Sequence, residues 1–287
     1  MESRVAIVTG ASSGMGEALS RELVRLGWQV AMADIQENKR LSDELGSKAR
    51  FYNTNVANYY SQAKTFDQVF KDYNRLDALC ANAGIVDRGS PYILGHRNSN
   101  EIPPAPDLLC TDVDWKGVVY GTQLAVHFMR KNKRPGGAIV ATASIAAVHP
   151  HPTYPEYSGA KAAVLNWVRG TAPILKIKDN VRINCVMPGI VQTNIIPPEM
   201  VAAVKPEFLT PIKTITDAYV ALLDNESLVG QAIEGSVDKH FLFADPPFMN
   251  GAATKRAVTV WDPLFELKHG EMSGLPDAIP GKSFPKT

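Results

Sequence analysis

The amino-acid sequence predicts an α/β fold, a doubly wound parallel sheet within a single domain. Short apolar runs suited to buried strands alternate along the chain with stretches of helical spacing. Such alternation favours right-handed crossovers that cover a parallel sheet on both faces. A glycine-rich turn also follows the first apolar run, and doubly wound sheets bind ligands where their strands end. The 287 residues, 45% of them apolar, are enough to bury a full core.

The predicted elements follow one another in the order that this fold requires. Strands are predicted in the apolar runs at residues 4–9, 29–33, 50–53, 78–81, 137–143 and 181–187. Helices are predicted between them at residues 18–26, 63–72, 113–131 and 157–175. The third helix contains no proline and is expected to be uninterrupted, whereas Pro173 is expected to end or kink the fourth.

Two segments interrupt this alternation of predicted strands and helices. Residues 85–112 are proline-rich and long for a connection, so we expect either a functional loop or a loosely ordered one. The main domain is predicted to span residues 1–244, followed by a proline-rich C-terminal extension at 245–287. We expect this tail to be extended, and it is either docked or mobile.

Composition excludes several classes of protein. A formal net charge of +1 indicates neither a nucleic-acid partner nor an anionic membrane surface. No charged leader followed by an apolar run is visible, and no apolar stretch reaches the ~20 residues that cross a bilayer, so we expect a cytoplasmic protein. The three cysteines, Cys80, Cys110 and Cys185, lack paired spacing, which argues against disulfides and against a metal site.

The turn at residues 9–16 (TGASSGMG) carries the first functional signal. Gly10 permits a tight turn, Gly14 lets the backbone approach a pyrophosphate, and Gly16 lets the first helix pack closely on the sheet. The N-terminus of that helix offers free N–H groups and a partial positive charge to phosphates. A strand, this turn and a helix in succession predict a Rossmann-type dinucleotide site. The other residues of the turn expected to contact the cofactor are Ser12, Ser13 and Met15.

Asp34 follows the second predicted strand, 34 − 16 = 18 residues after the last glycine of the turn. An acid near this spacing holds the adenosine ribose hydroxyls, and we expect the adjacent Ile35 to bind the cofactor as well. A 2′-phosphate carries roughly −2 charge, and about 4 Å from a carboxylate its repulsion costs ~2 kcal/mol even in water. No Lys or Arg in the turn or in the four positions after Asp34 offsets this charge. The sequence therefore predicts NAD(H) rather than NADP(H).

The spacing of the glycine turn, together with later motifs, resembles the short-chain dehydrogenase/reductase family. The motifs occur in the family's order over about residues 4–240, and they are Asn82-Ala83-Gly84, Ser144, Tyr157-Ser158-Gly159-Ala160-Lys161, Pro188-Gly189 and Thr193. The resemblance implies an oxidoreductase that moves a hydride between a nicotinamide cofactor and an alcohol or ketone carbon. It also implies that these residues bind the cofactor: Asn82, Ala83, Gly84, Tyr157, Lys161, Pro188, Gly189, Val191 and Thr193.

Tyr157 and Lys161 are four residues apart, so they share one face of a helix. The unperturbed pKa of a phenol is ~10, whereas base chemistry at neutral pH needs a pKa nearer ~7. A shift of that size requires ~4 kcal/mol. One ammonium about 4 Å away, at an effective dielectric of ~20, supplies roughly this amount. These considerations identify Tyr157 as the proton-transfer residue. The resemblance further implies that Lys161 binds the nicotinamide ribose and that Ser144 hydrogen-bonds the substrate oxygen.

Two positions depart from the family pattern. Asp114 stands where the family has an Asn whose main-chain carbonyl holds a water of the proton relay. Its carboxylate is expected to raise the pKa of Lys161, so Asp114 is a fourth candidate catalytic residue. Asn55 and Val56 replace the usual Asp-Val pair beside the adenine. The Asn55 carbonyl can still accept from the adenine amine, and Val56 is expected to donate its backbone N–H.

The resemblance places the substrate under a lid after Pro188-Gly189, here about residues 190–212. This segment is rich in Ile, Val, Met and Pro, which predicts a substrate with substantial apolar surface. Residues 221–235 resemble 15-hydroxyprostaglandin-dehydrogenase-like members, which favours NAD-linked oxidation of a secondary alcohol. Relatives also form homodimers or homotetramers through the helices predicted at 113–131 and 157–175, so a homo-oligomer is expected.

Two other functions stay open at this point. One is an NAD(P)H-dependent ketone reductase of a biosynthetic pathway, because the hydride transfer is reversible. The unusual 85–112 loop and the tail leave room for an added non-redox step in this enzyme. The other is a module that binds NAD(H) without catalysis. Intact Ser144, Tyr157 and Lys161 argue against that module.

Overall fold

A computed structural model describes residues 3–282 and 284 of the chain. Eight strands form one sheet in the order β3-β2-β1-β4-β5-β6-β7-β8, with all neighbours parallel except the antiparallel pair of β7 and β8. The strands are β1 Val5–Thr9, β2 Gln29–Asp34, β3 Ala49–Asn53, β4 Ala78–Ala81, β5 Gly137–Thr142, β6 Val181–Pro188, β7 Ala232–Ser236 and β8 Lys239–Leu242. The predicted doubly wound α/β fold is confirmed.

The helices cover both faces of this sheet. They are α1 Gly14–Arg25, α2 Lys39–Leu45, α3 Tyr59–Tyr73, α4 Leu109–Thr111, α5 Gly117–Met129, α6 Pro155–Asp179, α7 Pro198–Ala203, α8 Ile212–Asp224, α9 Gly251–Val258 and α10 Asp262–His269. None of the helices in the part of the chain that the structure describes has the length and apolarity needed to span a bilayer.

Alternation along the strands divides the core into two layers. On β1, Val5 and Ile7 point into the layer shared with α3, α5 and α6, whereas Ala6 and Val8 point into the layer shared with α1 and α8. These side chains are almost fully buried. Because β1 to β7 run parallel, their carboxyl ends lie at one edge of the sheet. The loops that carry the predicted motifs meet at this edge.

The predicted third helix is corrected in its bounds and in its regularity. The helical segment begins at Leu109 rather than residue 113, and it ends at Met129 rather than residue 131. Between α4 and α5, the five residues Asp112–Lys116 form a π-helical turn, which the absence of proline did not predict. Such turns occur frequently at functional sites, and this one carries Asp114.

The expected end of the fourth helix at Pro173 is wrong, since α6 continues to Asp179 with Pro173 inside it. Proline removes one backbone hydrogen bond of a helix. The buried face of α6 runs from Val164 through Val168 to Ala172, so packing against the sheet holds the helix across this position.

The tail is not simply extended, because it contains α9 and α10. It packs back on α6 of its own chain. Arg169 pairs with Asp245 at 3.1 Å, and Lys178 pairs with Glu271 at 2.9 Å. Ser283 and residues 285–287 of the predicted extension lie outside the described residues.

Candidate active site

A cleft of about 640 Å³ opens at the carboxyl ends of β1, β2 and β4. Most of the residues predicted to bind the cofactor line it, namely Gly10, Ser13, Gly14, Met15, Asp34, Ile35, Asn55, Val56, Asn82, Ala83, Gly84 and Thr193. The sequence separates these positions by up to 183 residues (193 − 10), and the strand order brings them to one edge of the sheet.

The glycine turn has the geometry that a bound pyrophosphate requires. Gly10 and Gly14 adopt positive φ of +65° and +53°, which favours glycine. A Cβ on Gly16 would lie 2.0 Å from the Gly10 carbonyl oxygen, so only glycine lets α1 start so close to the turn. These backbone features form a cradle at a helix N-terminus, and they fit the phosphates of a dinucleotide.

Asp34 is fixed by the turn that it faces. One oxygen of its carboxylate accepts from the backbone N–H of Ser12 at 3.0 Å, and the other accepts from that of Gln36 at 3.3 Å. The Ser12 hydroxyl donates to the Gln36 carbonyl. The predicted cofactor residue Ser12 therefore contacts Asp34 without lining the cleft, and the carboxylate stays at the end of the cleft beside β2.

Asn55 and Val56 lie beside the same end of the cleft. The Asn55 side-chain oxygen accepts from the Ala57 backbone N–H at 3.0 Å. A carbonyl oxygen has two lone pairs, so a second donor can still bind there. Gln62 donates to the carbonyls of Val56 and Gly117, which ties this loop to the first turn of α5.

Asn82 joins the glycine turn to the end of β4. Its side-chain amide donates to the Thr9 carbonyl at 3.0 Å, and its backbone N–H donates to the Thr9 hydroxyl at 3.0 Å. The Ala83 backbone N–H donates to that hydroxyl as well. These bonds hold the two strand ends together across the floor of the cleft.

An ion pair lies behind Gly84. Lys161 Nζ is 3.0 Å from Asp114 Oδ2, and the two side chains are 3% and 0% exposed. Lys161 also donates to the Thr142 carbonyl at 2.8 Å. A Cβ on Gly84 would lie 2.9 Å from Asp114 Oδ2 and 3.3 Å from Lys161 Nζ, so the pair directly underlies the wall of the cleft.

The two members of the pair change each other's titration. Burial alone would lower the pKa of Lys161, but the Asp114 carboxylate and Tyr157 outweigh it and hold that pKa above its usual range. Burial raises the pKa of Asp114, against the opposing effect of the ammonium. The second Asp114 oxygen accepts from the Ile85 backbone N–H at 2.8 Å.

Tyr157 lies beside Lys161, and Ser144 lies two residues after Thr142, whose carbonyl accepts from Lys161. Lys161 Nζ is 5.4 Å from the centre of the Tyr157 ring, one turn earlier on α6. Ser144 follows β5 and is 7% exposed, and its oxygen accepts from the Ala146 backbone N–H at 3.1 Å. The hydroxyl proton of Ser144 is therefore available to donate to another oxygen.

Of the last predicted motif, Thr193 lines the cleft, whereas Pro188, Gly189 and Val191 do not. Pro188 ends β6, and the Gly189 backbone N–H donates to the Gly235 carbonyl at 2.9 Å. Val191 is 4% exposed and packs in the core. Thr193 lies over Gly14, whose Cβ position would be 3.2 Å from its methyl group.

The cleft has further walls that the sequence analysis did not name. They are Thr54, Ile85, Val86, Asp87, Arg88, Leu109, Val113, Asn194 and Ile195. Ile85 and the three residues after it continue directly from Asn82-Ala83-Gly84, so adjacency to that motif was the available signal. Leu109 was assigned to a loop, because proline content hid the start of α4.

Comparisons with known proteins agree with this architecture. The family described as short chain dehydrogenase matches residues 4–200. A short-chain dehydrogenase/reductase, prx6 of Penicillium rubens, is 52% identical over 97% of this chain and 98% of its own. A cis-4-hydroxycyclohexanecarboxylate dehydrogenase of Sinomonas cyclohexanicum is 32% identical over 67% of this chain and 75% of its own.

Solved structures share the fold. A short-chain type dehydrogenase/reductase from Mycobacterium marinum has a TM-score of 0.72 at 24% identity, covering 83% of this chain and 95% of that one. A 3-ketoacyl-(acyl-carrier-protein) reductase from Brucella melitensis, complexed with NADH, has a TM-score of 0.71 at 20% identity, covering 82% of this chain and 97% of that one. The chain belongs to the short-chain dehydrogenase/reductase family and is an oxidoreductase that uses a nicotinamide cofactor.

Proposed function

We propose that the protein interconverts a secondary alcohol and its ketone with NAD(H), with Tyr157 as the proton-transfer residue. One observation carries this proposal. A buried ammonium lies 5.4 Å from the centre of the Tyr157 ring and also lies behind the wall of a cleft that fits a dinucleotide. A cation in this place stabilises a phenolate.

The cofactor is held by the glycine turn, by Asp34 and by the loops at the ends of β3, β4 and β6. The nicotinamide ring gives or receives the hydride when it is bound. The protein positions the cofactor and the substrate and polarises the reacting groups. Lys161 is the residue we assign to the nicotinamide ribose. Its neighbour Gly84 keeps the wall thin enough for a ligand to come close to the ion pair.

The proton moves through the side chains of α6 and of the loop after β5. Ser144 donates a hydrogen bond to the substrate oxygen and holds it beside the phenol of Tyr157. During oxidation, Tyr157 takes the hydroxyl proton of the alcohol, and during reduction it returns a proton to the carbonyl oxygen. Lys161 stabilises the phenolate between these events. Asp114 keeps Lys161 protonated and fixes its position at 3.0 Å.

Asp34 supports NAD(H) over NADP(H). Its carboxylate is held in place by two backbone N–H groups, so it cannot easily turn away from a 2′-phosphate. The glycine turn and the four residues after Asp34 contain no Lys or Arg to offset that phosphate. The repulsion of roughly 2 kcal/mol corresponds to about a 30-fold preference.

The substrate is proposed to carry substantial apolar surface. Ile85, Val86 and Ile195 line the cleft, and the segment at 190–212 supplies further apolar residues above it. The resemblance of residues 221–235 to 15-hydroxyprostaglandin-dehydrogenase-like members supports oxidation as the direction. A homodimer or homotetramer remains the assembly that the family resemblance favours.

A panel of secondary alcohols and their ketones tests the proposal. NADH absorbance is followed in both directions, with NAD(H) and NADP(H) compared under identical conditions. We expect turnover of at least one apolar pair with kcat/KM for NAD(H) at least tenfold above that for NADP(H). Tight NADH binding without turnover of any member in either direction would favour the non-catalytic module instead.

A further inference from the structure

The helix that carries Tyr157 does not cap its own N-terminus. Tyr154 stands at the N-cap position and makes no side-chain capping bond, and Pro155 follows it with no N–H to offer. The next N–H groups of a helix have no partner within the helix. Here these groups belong to Glu156 and to Tyr157 itself.

Asp87 supplies the missing cap from a distant part of the chain. Its Oδ2 accepts from the Glu156 backbone N–H at 2.9 Å, and its Oδ1 accepts from the Tyr157 backbone N–H at 2.8 Å. Asp87 lies 70 residues before Tyr157, in the loop after β4. Both oxygens of one carboxylate therefore fix the backbone of the proposed proton-transfer residue.

The segment that holds Asp87 also contacts the buried ion pair. Gly84 covers Asp114 and Lys161, and the Ile85 backbone N–H donates to Asp114. Asp87 itself lines the cleft. Four consecutive positions, 84–87, thus connect the cofactor cleft, the ion pair and the first turn of α6.

A second set of bonds braces the same turn. Glu156 accepts from both the backbone N–H and the hydroxyl of Thr111 at 2.8 Å, and the Cys110 thiol donates to the Ile85 carbonyl at 3.2 Å. Asp87, Cys110 and Glu156 lie close enough together to resemble a metal site. Both Asp87 oxygens, Glu156 Oε1 and the Cys110 thiol already have partners within the protein, so the cluster braces the helix.

We propose that Asp87 is a positioning residue for Tyr157. The proposal rests on the proposed function, since it assumes that Tyr157 transfers the proton. The cap holds the first turn of α6 at a fixed place relative to the cleft wall, and so sets where the phenol meets a substrate oxygen. A misplacement of about 1 Å in such a geometry costs roughly 10²-fold in rate.

Three variants separate positioning from general stability. Asp87→Ala removes both acceptors, whereas Asp87→Asn keeps one acceptor and leaves one N–H without a partner. Asn58→Ala is the matched control, because Asn58 caps α3 by accepting from the Ser61 backbone N–H at 2.9 Å. Loss of a single cap in either helix is expected to lower the melting temperature by about 2–4 °C.

Kinetics and hydrogen exchange provide the readouts. With the best alcohol of the panel, Asp87→Ala should lower kcat at least tenfold and leave KM for alcohol and cofactor within threefold. Asp87→Asn should lie between this variant and the wild type, and Asn58→Ala should keep the wild-type kcat. Amide exchange measured for residues 156–158 should quicken at least tenfold in Asp87→Ala and stay unchanged in Asn58→Ala.

Several results would overturn the proposal. Wild-type kcat in Asp87→Ala would do so, as would unchanged exchange at residues 156–158. A rise confined to KM for the alcohol would assign Asp87 to direct substrate contact instead. If Asp87→Ala does not fold, Asp87→Asn decides, because wild-type kcat and wild-type exchange in that variant contradict the cap.

Tyr157→Phe, measured alongside, keeps the two proposals distinguishable. If Tyr157→Phe retains more than a tenth of wild-type kcat, the proposed function fails whatever Asp87 does. If Tyr157→Phe is inactive while Asp87→Ala is fully active, only the positioning role fails.

Discussion

The two ends of the candidate site are built in different ways. The cofactor end is the cleft itself, whereas Ser144, Tyr157 and Lys161 of the proposed proton-transfer end are not among the residues that line the cleft. The centre of the cofactor end comes from one β-α-β unit, since the glycine turn at 9–16 joins β1 to α1 and Asp34 ends the neighbouring strand β2. The proton-transfer end is assembled from four separate segments, which are the loop after β4, the π-helical turn, the loop after β5 and the first turns of α6. The first end depends on local backbone conformation, and the second depends on tertiary packing and on buried charge.

This difference predicts that variants of the two ends fail in different ways. A change at the cofactor end should alter binding or cofactor choice while the fold holds. A change at the proton-transfer end should alter the chemical step, and often stability too, while the cofactor still binds. Four measurements, ordered by the size of the expected effect, test this separation.

Tyr157→Phe should show the largest loss. We expect kcat to fall by at least about 10³-fold, because the substitution removes the hydroxyl of the proposed proton-transfer residue. The Kd for NADH, measured by fluorescence titration, should stay within threefold of the wild type. The separation of the two ends fails if Kd rises in proportion to the loss of kcat.

Lys161→Met should lose stability as well as activity. Removing the ammonium leaves Asp114 buried and unpaired, which typically costs about 3–5 kcal/mol. Denaturant unfolding measures this loss. The double variant Lys161→Met with Asp114→Asn should recover most of the stability but none of the activity. If the second substitution restores nothing, the ion pair is not the source of the cost.

Asp34→Ser should change cofactor choice at the other end of the candidate site. The substitution removes the charge that opposes a 2′-phosphate, and the lost repulsion of roughly 2 kcal/mol corresponds to about 30-fold. The ratio of kcat/KM for NADP to that for NAD should rise by about this factor. An unchanged ratio would show that another group selects the cofactor.

Asp114→Asn should move the pH profile by about one unit, the smallest of the four effects. The Asp114 carboxylate holds the pKa of buried Lys161 above its usual range. Without that carboxylate, the ammonium loses its proton at lower pH. The high-pH limb of log kcat/KM against pH should therefore shift downward, whereas an upward shift of that limb contradicts this assignment.

Much of the fold was predictable because the signals were local. Apolar runs gave the six parallel strands from β1 to β6, since buried strands of a parallel sheet need apolar residues on both faces. The edge strand β8 is exposed along its whole length and has no such run. The predicted helix end at Pro173 was wrong, because the packing of α6 on the sheet outweighs the local helix-breaking effect of proline.

The candidate site divides in the same way. Spacing within the turn and the distance to Asp34 predicted residues that the fold brings together around one cleft. The interval between Tyr157 and Lys161 placed both on one face of α6. No local signal connects Asp87 to the N-terminus of α6, because the two are 70 residues apart and only the tertiary fold brings them together.

The most direct test is a crystal structure with NADH and a slowly reacting ketone from the panel. We expect the substrate oxygen to lie within about 3.2 Å of both the Tyr157 hydroxyl and the Ser144 hydroxyl, with the carbonyl carbon against the nicotinamide ring. A Tyr157 hydroxyl turned away from the nicotinamide, with no space for a carbonyl between them, would contradict it.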